Sequence, residues 1–113
     1  MSPITSHVLD TALGRPATGL AVRLDVLDGS GRYATLAAGA TNDQGRITDL
    51  VAPGSLEART YRLTFETGAW FAAAGRPVFY PQVDVVFTVQ ASGEHHHIPL
   101  LLSPFGYSTY RGT

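Results

Sequence analysis

The chain has 113 residues, which suits one domain with a modest hydrophobic core, and we expect residues 1–113 to form a single domain. It contains no cysteine, which excludes disulfides, thiolate nucleophiles and cysteine-ligated zinc. Its eight basic residues are all arginine and are scattered among nine acidic ones, so there is no basic stripe and no nucleic-acid partner is expected.

Segments typical of short strands follow one another along most of the chain. Apolar and polar residues alternate with a period of two, most clearly in 20–27, 59–66 and 83–89, which indicates strands with one face on a core. In chain order, the predicted strands are 5–11, 20–27, 32–40, 59–66, 83–89, 95–102 and 106–111. Turn residues rich in glycine, asparagine and proline separate them, and this regular spacing is typical of a sandwich or barrel.

One segment breaks the strand pattern. Residues 68–75 are rich in alanine and bounded by Gly68 and Gly75, which predicts a short helix of about two turns. The sequence therefore predicts an all-β fold, an antiparallel β-sandwich with one short helix inserted between strands.

No segment of the sequence indicates a membrane or an export route. The first seven residues lack the basic segment and apolar run of a signal peptide. No apolar stretch approaches the length of about 20 residues that spans a bilayer. We therefore expect a cytoplasmic protein without a membrane partner.

Four histidines are the main candidates for chemistry: His7, His95, His96 and His97. Alternation along 95–102 puts His95 and His97 on one strand face and His96 on the apolar face. A neutral imidazole with a pKa near 6.5 can take a proton from water and return it. Any single histidine can equally be a solvated side chain. The His95-x-His97 spacing permits chelation, but no third ligand is close, so we expect no metal site.

Two arginines and the C-terminal tail are further candidates. Arg46 follows the turn 42–45, and Arg111 lies near the chain end. An arginine in a cleft can hold carbonyl oxygens and stabilise an oxyanion, whereas a surface arginine commonly contributes only solubility. The tail 107–113 combines tyrosines, hydroxyls and an arginine in an order that suits a strand. Composition and alternation alone lead to an all-β domain with a candidate histidine–arginine site.

Three blocks, residues 5–17, 41–46 and 97–113, carry a more specific pattern. In order and spacing they resemble the transthyretin-related family along the whole chain. That family has two branches, thyroid-hormone carriers and 5-hydroxyisourate hydrolases. The hydrolase branch ends in Tyr-Arg-Gly-Ser and keeps a histidine in the first and third blocks and an arginine in the second. This chain matches the hydrolase branch except that Thr113 replaces the final serine.

The resemblance implies a fold, an assembly and a reaction. The fold would contain two four-stranded sheets, and four copies would form a homotetramer, a dimer of dimers, with active sites in the channel between dimers. The substrate would be 5-hydroxyisourate, the product of urate oxidation, whose cyclic amide is opened by water without a cofactor. One alternative, a transthyretin-like binding module without catalysis, is disfavoured by the paired histidines and the C-terminal block. A structural or metal-binding β-sandwich is the other alternative.

The resemblance also implies roles for individual residues. His7 and His97 would bind and deprotonate the attacking water, and Arg46 would hold the substrate carbonyls and the developing oxyanion. The family often has an aromatic residue where His96 stands, so His96 receives no catalytic role. The tail residues that would shape and hydrogen-bond the substrate pocket are Tyr110, Arg111, Gly112 and Thr113.

Overall fold

Two β-sheets pack face to face in the computed structural model, which describes residues 2–91 and 93–113. The strands are β1 (Ile4–Asp10), β2 (Arg15–Pro16), β3 (Ala21–Leu27), β4 (Tyr33–Ala40), β5 (Arg46–Ile47), β6 (Thr60–Phe65), β7 (Val83–Thr88), β8 (His96–Ser103) and β9 (Gly106–Thr109). One helix, α1 (Thr67–Ala73), lies between β6 and β7. The predicted all-β class, the seven predicted strands and the short helix are all confirmed.

The first sheet is built around β1. On one side β8 runs parallel to β1, with Thr5 opposite His97, and β9 continues antiparallel to β8. On the other side the short strands β5 and β2 pair with residues 6–7 and 9–10 of β1. This sheet therefore has five strands where four were predicted. It is nevertheless only four strands wide, because β2 and β5 pair with the same side of β1, one after the other along its length.

Strand direction also departs from the prediction at one place. The β1–β8 pair is parallel, whereas every other pair in the two sheets is antiparallel. A tight hairpin forces its two strands to be antiparallel, but β8 follows β1 only after the chain has built the second sheet, β4-β3-β6-β7. No hairpin therefore constrains the direction in which β8 meets β1.

The core lies between the sheets and is formed by the faces that alternation predicts. A buried leucine or phenylalanine contributes about 1.5–3 kcal/mol relative to exposure, so this pattern determines which face turns inward. The buried apolar residues of the long strands include Val22, Leu24, Val26, Tyr61, Leu63, Phe65, Val83, Ile98, Leu100 and Leu102. On β8 the alternate residues His97 and Leu101 are only half-buried, on the outer face of the first sheet.

The helix packs against the core through its aromatic residues. It begins at Thr67, one residue before the predicted start, and ends at Ala73. Phe71 is buried, and Nε1 of Trp70 donates to the carbonyl oxygen of Thr18 at 2.8 Å. Across the described residues, no helix has the length and hydropathy needed to cross a membrane.

Candidate active site

The outer face of the first sheet gathers residues from three distant parts of the sequence. Pairing of β1 with β8 puts Thr5 beside His97, and His7 lies two residues further along the same face of β1. Pairing of β1 with β5 puts Arg46 directly opposite His7. The predicted catalytic residues therefore project from one continuous surface.

An open cavity of about 300 Å³ lies over this surface. Its walls are formed by Thr5, Ser6, Arg46, Thr48, His95, His97 and Thr113. It brings together Arg46 from the second sequence block with His97 and Thr113 from the third. Its volume is at the lower end of the range of small-molecule sites, and it is open to water.

His7 is attached to the turn that precedes Arg46. Its Nε2 lies 2.8 Å from the carbonyl oxygen of Gln44. Because a carbonyl oxygen can only accept, Nε2 carries a proton and donates it. In neutral His7 the nitrogen left to accept a proton is therefore Nδ1.

The turn itself is shaped by an asparagine and a glycine. Oδ1 of Asn42 accepts hydrogen bonds from the backbone N–H groups of Gln44 and Arg46 at 2.9 and 3.0 Å. Gly45 has a φ of 75°, and a Cβ atom there would collide with the carbonyl oxygen of Val8. Both features come from residues that lie just before Arg46 in the chain, and together they bring Arg46 against β1.

His97 is held in a defined orientation by Thr5. Its Nδ1 lies 2.8 Å from Oγ1 of Thr5, and the same oxygen lies 3.0 Å from Nε2 of His95. The free ring nitrogen of His97 is therefore Nε2. Burial lowers the pKa of His97 below its usual 6.5, and the charges of Arg46, His95 and His7 lower it further. A hydrogen bond with the Thr5 backbone acts in the opposite direction and raises this pKa. His97 is consequently neutral at pH 7 and can accept a proton.

Gly112 and Thr113 of the tail adjoin the cavity. The Gly112 N–H donates to the carbonyl oxygen of His97 at 2.8 Å, which returns the tail to β8. A Cβ atom on Gly112 would lie 2.6 Å from Cδ2 of the His97 ring. Glycine is therefore needed at this position because the imidazole packs directly on its Cα.

Tyr110 and Arg111 lie elsewhere in the single chain. Both line a separate, apolar cleft between β7 and β9. Nη2 of Arg111 makes an exposed ion pair with Oε2 of Glu94 at 3.0 Å. The tail rejoins β8 only at Gly112, so the two preceding side chains remain over the sheet edge and the structure does not bring them to the cavity.

Thr5 and His95 join the site without having been assigned to it from the sequence. The role of His95 could not be assigned from its spacing to His97 alone, and no sequence signal singled out Thr5. Among residues 2–91 and 93–113, no three histidine or acidic side chains are grouped so as to hold a metal ion.

Comparison with characterised sequences points to one family. Residues 4–112 match the profile of the HIUase/Transthyretin family. The 5-hydroxyisourate hydrolase of Mus musculus is 44% identical over 113 residues, covering 99% of this chain and 96% of the relative. The 5-hydroxyisourate hydrolase of Deinococcus radiodurans is also 44% identical, over 114 residues, covering 97% of this chain and 95% of the relative.

Solved structures give the same result for the fold. The 5-hydroxyisourate hydrolase of Klebsiella pneumoniae superposes with a TM-score of 0.86 at 42% identity, covering 100% of both chains. Sea bream transthyretin in complex with thyroxine superposes with a TM-score of 0.93 at 31% identity, covering 98% of this chain and 95% of that one. By profile, sequence and structure, the chain belongs to the HIUase/Transthyretin family.

Proposed function

We propose that this protein is a 5-hydroxyisourate hydrolase, which opens the cyclic amide of its substrate with water in the degradation of urate. The observation that carries the proposal is the cavity lined by Arg46 and a neutral His97, with His7 opposite Arg46 on the same face of the sheet. Relatives 44% identical along the whole chain are named as hydrolases. The fold alone does not distinguish a hydrolase from a carrier, so the proposal rests on the side chains that line the cavity.

In the proposed reaction, His7 and His97 bind one water molecule and remove a proton from it. Since Nδ1 of His97 is bonded to Thr5, Nε2 accepts this proton as the water oxygen adds to the amide carbonyl carbon. The tetrahedral intermediate then collapses, the ring C–N bond breaks, and the proton moves from Nε2 to the leaving nitrogen. The product is a ureido-imidazoline carboxylate, and the reaction needs no cofactor.

Arg46 would stabilise the charge that develops on the carbonyl oxygen. Its guanidinium is permanently charged, and its planar array of donors suits two neighbouring oxygens. Gly112 and Thr113 would bound the substrate at the other side of the cavity. Arg111 would reach the substrate only after its ion pair with Glu94 opens, and Tyr110 lines the neighbouring cleft in the single chain.

The direct test is to add the protein to freshly generated 5-hydroxyisourate and follow the ultraviolet absorbance of the substrate. Catalysis predicts a decay that is faster than the spontaneous reaction and proportional to protein concentration. A binding module without catalysis would bind the compound and leave its decay rate unchanged or slower, and that result would refute the proposal.

Replacement of Gly112 by alanine should lower kcat, because the added methyl group displaces the His97 ring. A misplacement of about 1 Å costs up to about 10²-fold, so we expect a loss of about 10- to 100-fold in the ultraviolet assay. Gly29→Ala is the matched control, since a Cβ atom there meets nothing within 4 Å. Wild-type kcat in Gly112→Ala would show that the His97 ring does not need this close contact.

Exhaustive chelation should leave kcat unchanged. The only carboxylate near the two outward histidines in sequence, Glu94, pairs with Arg111 rather than facing them. The measurement compares the rate before and after dialysis against a strong chelator, with zinc added back to a third sample. Activity that is lost on chelation and restored by zinc would contradict the water-only mechanism.

We further propose that four copies assemble as a dimer of dimers. The edge strands β7 and β9 line the same cleft, and Val86, Phe105 and Tyr107 on or beside them are 55%, 66% and 44% exposed. Exposed edge strands with apolar side chains favour pairing with another chain. Half-buried Leu101 on the outer face would be covered when two such faces pack across a symmetry axis, which would also enclose the cavities.

Light scattering should therefore give a mass of about four times 12.0 kDa at assay concentration. Phe105→Glu should yield dimers and abolish catalysis together, because a charge cannot be buried in that interface. Leu36→Glu on β4, the opposite edge of the second sheet, is the control, since Leu36 is similarly exposed at 54%. A monomer with full activity would refute the shared-channel arrangement.

A further inference from the structure

A buried hydroxyl group lies between two imidazole rings beside the cavity. Thr5 is only 3% exposed, and its Oγ1 is 2.8 Å from Nδ1 of His97 and 3.0 Å from Nε2 of His95. The two rings are nearly parallel, with 17° between their planes and 6.4 Å between their centroids. A threonine hydroxyl has one proton, so it donates to one ring at most and accepts from the other.

The proposed hydrolysis determines the direction of these two hydrogen bonds. For Nε2 of His97 to accept a proton from water, the ring proton of neutral His97 must lie on Nδ1. The Nδ1–H group then donates to Oγ1 of Thr5. The buried Thr5 hydroxyl needs an acceptor for its own proton, and it donates to Nε2 of His95. The result is a continuous hydrogen-bonded chain from the half-buried His97 to the exposed His95.

We propose that Thr5 and His95 are positioning residues that form a reversible proton relay for His97, an inference that rests on the proposed hydrolysis. When water gives a proton to Nε2 of His97, the Nδ1 proton moves to Thr5 and the Thr5 proton moves to Nε2 of His95. When Nε2 passes its proton to the leaving nitrogen, the other two protons move back. One O–H and one C–N bond break, one C–O and one N–H bond form, and the relay returns to its starting state.

The environments of the two histidines favour this movement of charge. Burial and the neighbouring Arg46 oppose a positive charge on His97, and His7 adds to this opposition when protonated. His95 is exposed, so water can solvate an imidazolium there. Glu94, next to His95 in sequence, is paired with Arg111, so water rather than a carboxylate stabilises the transferred charge. The relay therefore carries positive charge from a half-buried position to a solvated one.

Replacement of Thr5 tests the hydroxyl group. Thr5→Val keeps the shape of the side chain and removes the hydroxyl, and we expect kcat to fall by about tenfold or more, with KM little changed. Thr5→Ser retains the hydroxyl and should restore most of kcat. Thermal unfolding of both variants verifies that the buried position remains packed. Wild-type kcat in a folded Thr5→Val protein would overturn the relay.

Replacement of His95 separates a proton relay from simple positioning. His95→Gln keeps an oxygen that can accept the Thr5 hydrogen bond, but it cannot take up a proton at neutral pH. A relay predicts that His95→Gln loses as much kcat as Thr5→Val, and that the double variant loses little more than either single one. Because His95 is exposed, this variant should fold even if Thr5→Val does not. Wild-type kcat in His95→Gln would overturn the relay.

The solvent isotope effect gives a readout that does not depend on the size of the activity loss. In mixtures of light and heavy water, kcat of the wild type should vary along a curve, since several protons move together. In Thr5→Val and His95→Gln the dependence should become linear, because one proton remains. A linear dependence in the wild type would count against the relay. An inactive wild type would instead refute the proposed function.

Discussion

We expect His97→Ala and His7→Ala each to lower kcat by about 10²- to 10⁴-fold, the range over which positioned acid–base groups commonly contribute. Both side chains project from the same face of the first sheet and would act on one water molecule. Loss of either removes that water's activation, so the double variant should lose little more than the worse single variant. The measurement is the initial decay of 5-hydroxyisourate under saturating substrate.

The pH dependence of the wild type checks the same assignment. His97 can act as the proposed base only when it is neutral, and burial and the nearby Arg46 lower its pKa below 6.5. Wild-type kcat/KM should therefore fall as the pH drops through this lowered pKa of the free protein. His96→Phe serves as the control, because His96 lies on the opposite, inward face of β8. Full activity in either His7→Ala or His97→Ala would contradict their shared role.

Replacement of Arg46 by glutamine should lower kcat by about 10²- to 10³-fold, as removal of one oxyanion donor commonly does. Arg46→Lys should recover only part of this loss, since lysine keeps the charge without the planar array of donors. Arg32→Gln, in the exposed loop between β3 and β4, is the matched control.

The same variant carries a second, independent readout. Arg46 is among the causes that lower the pKa of His97, so Arg46→Gln should move the acid limb of kcat/KM toward higher pH. Arg46→Lys retains the positive charge and should leave that limb near its wild-type position. If Arg46→Gln keeps both kcat and the acid limb of the wild type, Arg46 does not contact the reacting centre.

Alternation was sufficient to predict the long strands. In 20–27, 59–66 and 83–89 the alternate positions that are apolar throughout face the other sheet, because only one face of each strand can be buried. The two-residue strands β2 and β5 were not predicted, since two residues have no measurable period. Their pairing with β1 depends on turns that return the chain to that strand.

Polar groups in the second sheet show where alternation stops being informative. Asp25 lies on the outward face of β3, yet it is only 1% exposed, because arginine side chains from the same and the neighbouring strand cover it. Burial raises the pKa of Asp25, but hydrogen bonds from Arg62, Thr35 and Arg23 more than offset this and leave the pKa below 3.8. The position of Asp25 relative to the core was predictable, whereas its partners were not.

The residues of the candidate site were also only partly predictable from the sequence. His7, Arg46 and His97 were selected by their match to a family pattern, and alternation placed His97 on an outward face. Thr5 belongs to the first block, but nothing in the sequence singled it out, because its importance comes from lying opposite His97 across the β1–β8 pair. The sequence also did not predict that neighbouring tail residues would have different partners. Gly112 contacts His97, whereas Arg111 pairs with Glu94.

The sequence by itself determined the family, the order of the seven longer strands along the chain and the face on which their alternating residues lie. Periodicity reports the surroundings of one strand at a time, and the family pattern reports residue identity. Only the tertiary structure decided which distant side chains meet, which nitrogen of His97 is free, and why its pKa is lowered. These properties depend on the register between strands about ninety positions apart, and register is set by the packing of the whole sandwich rather than by either strand.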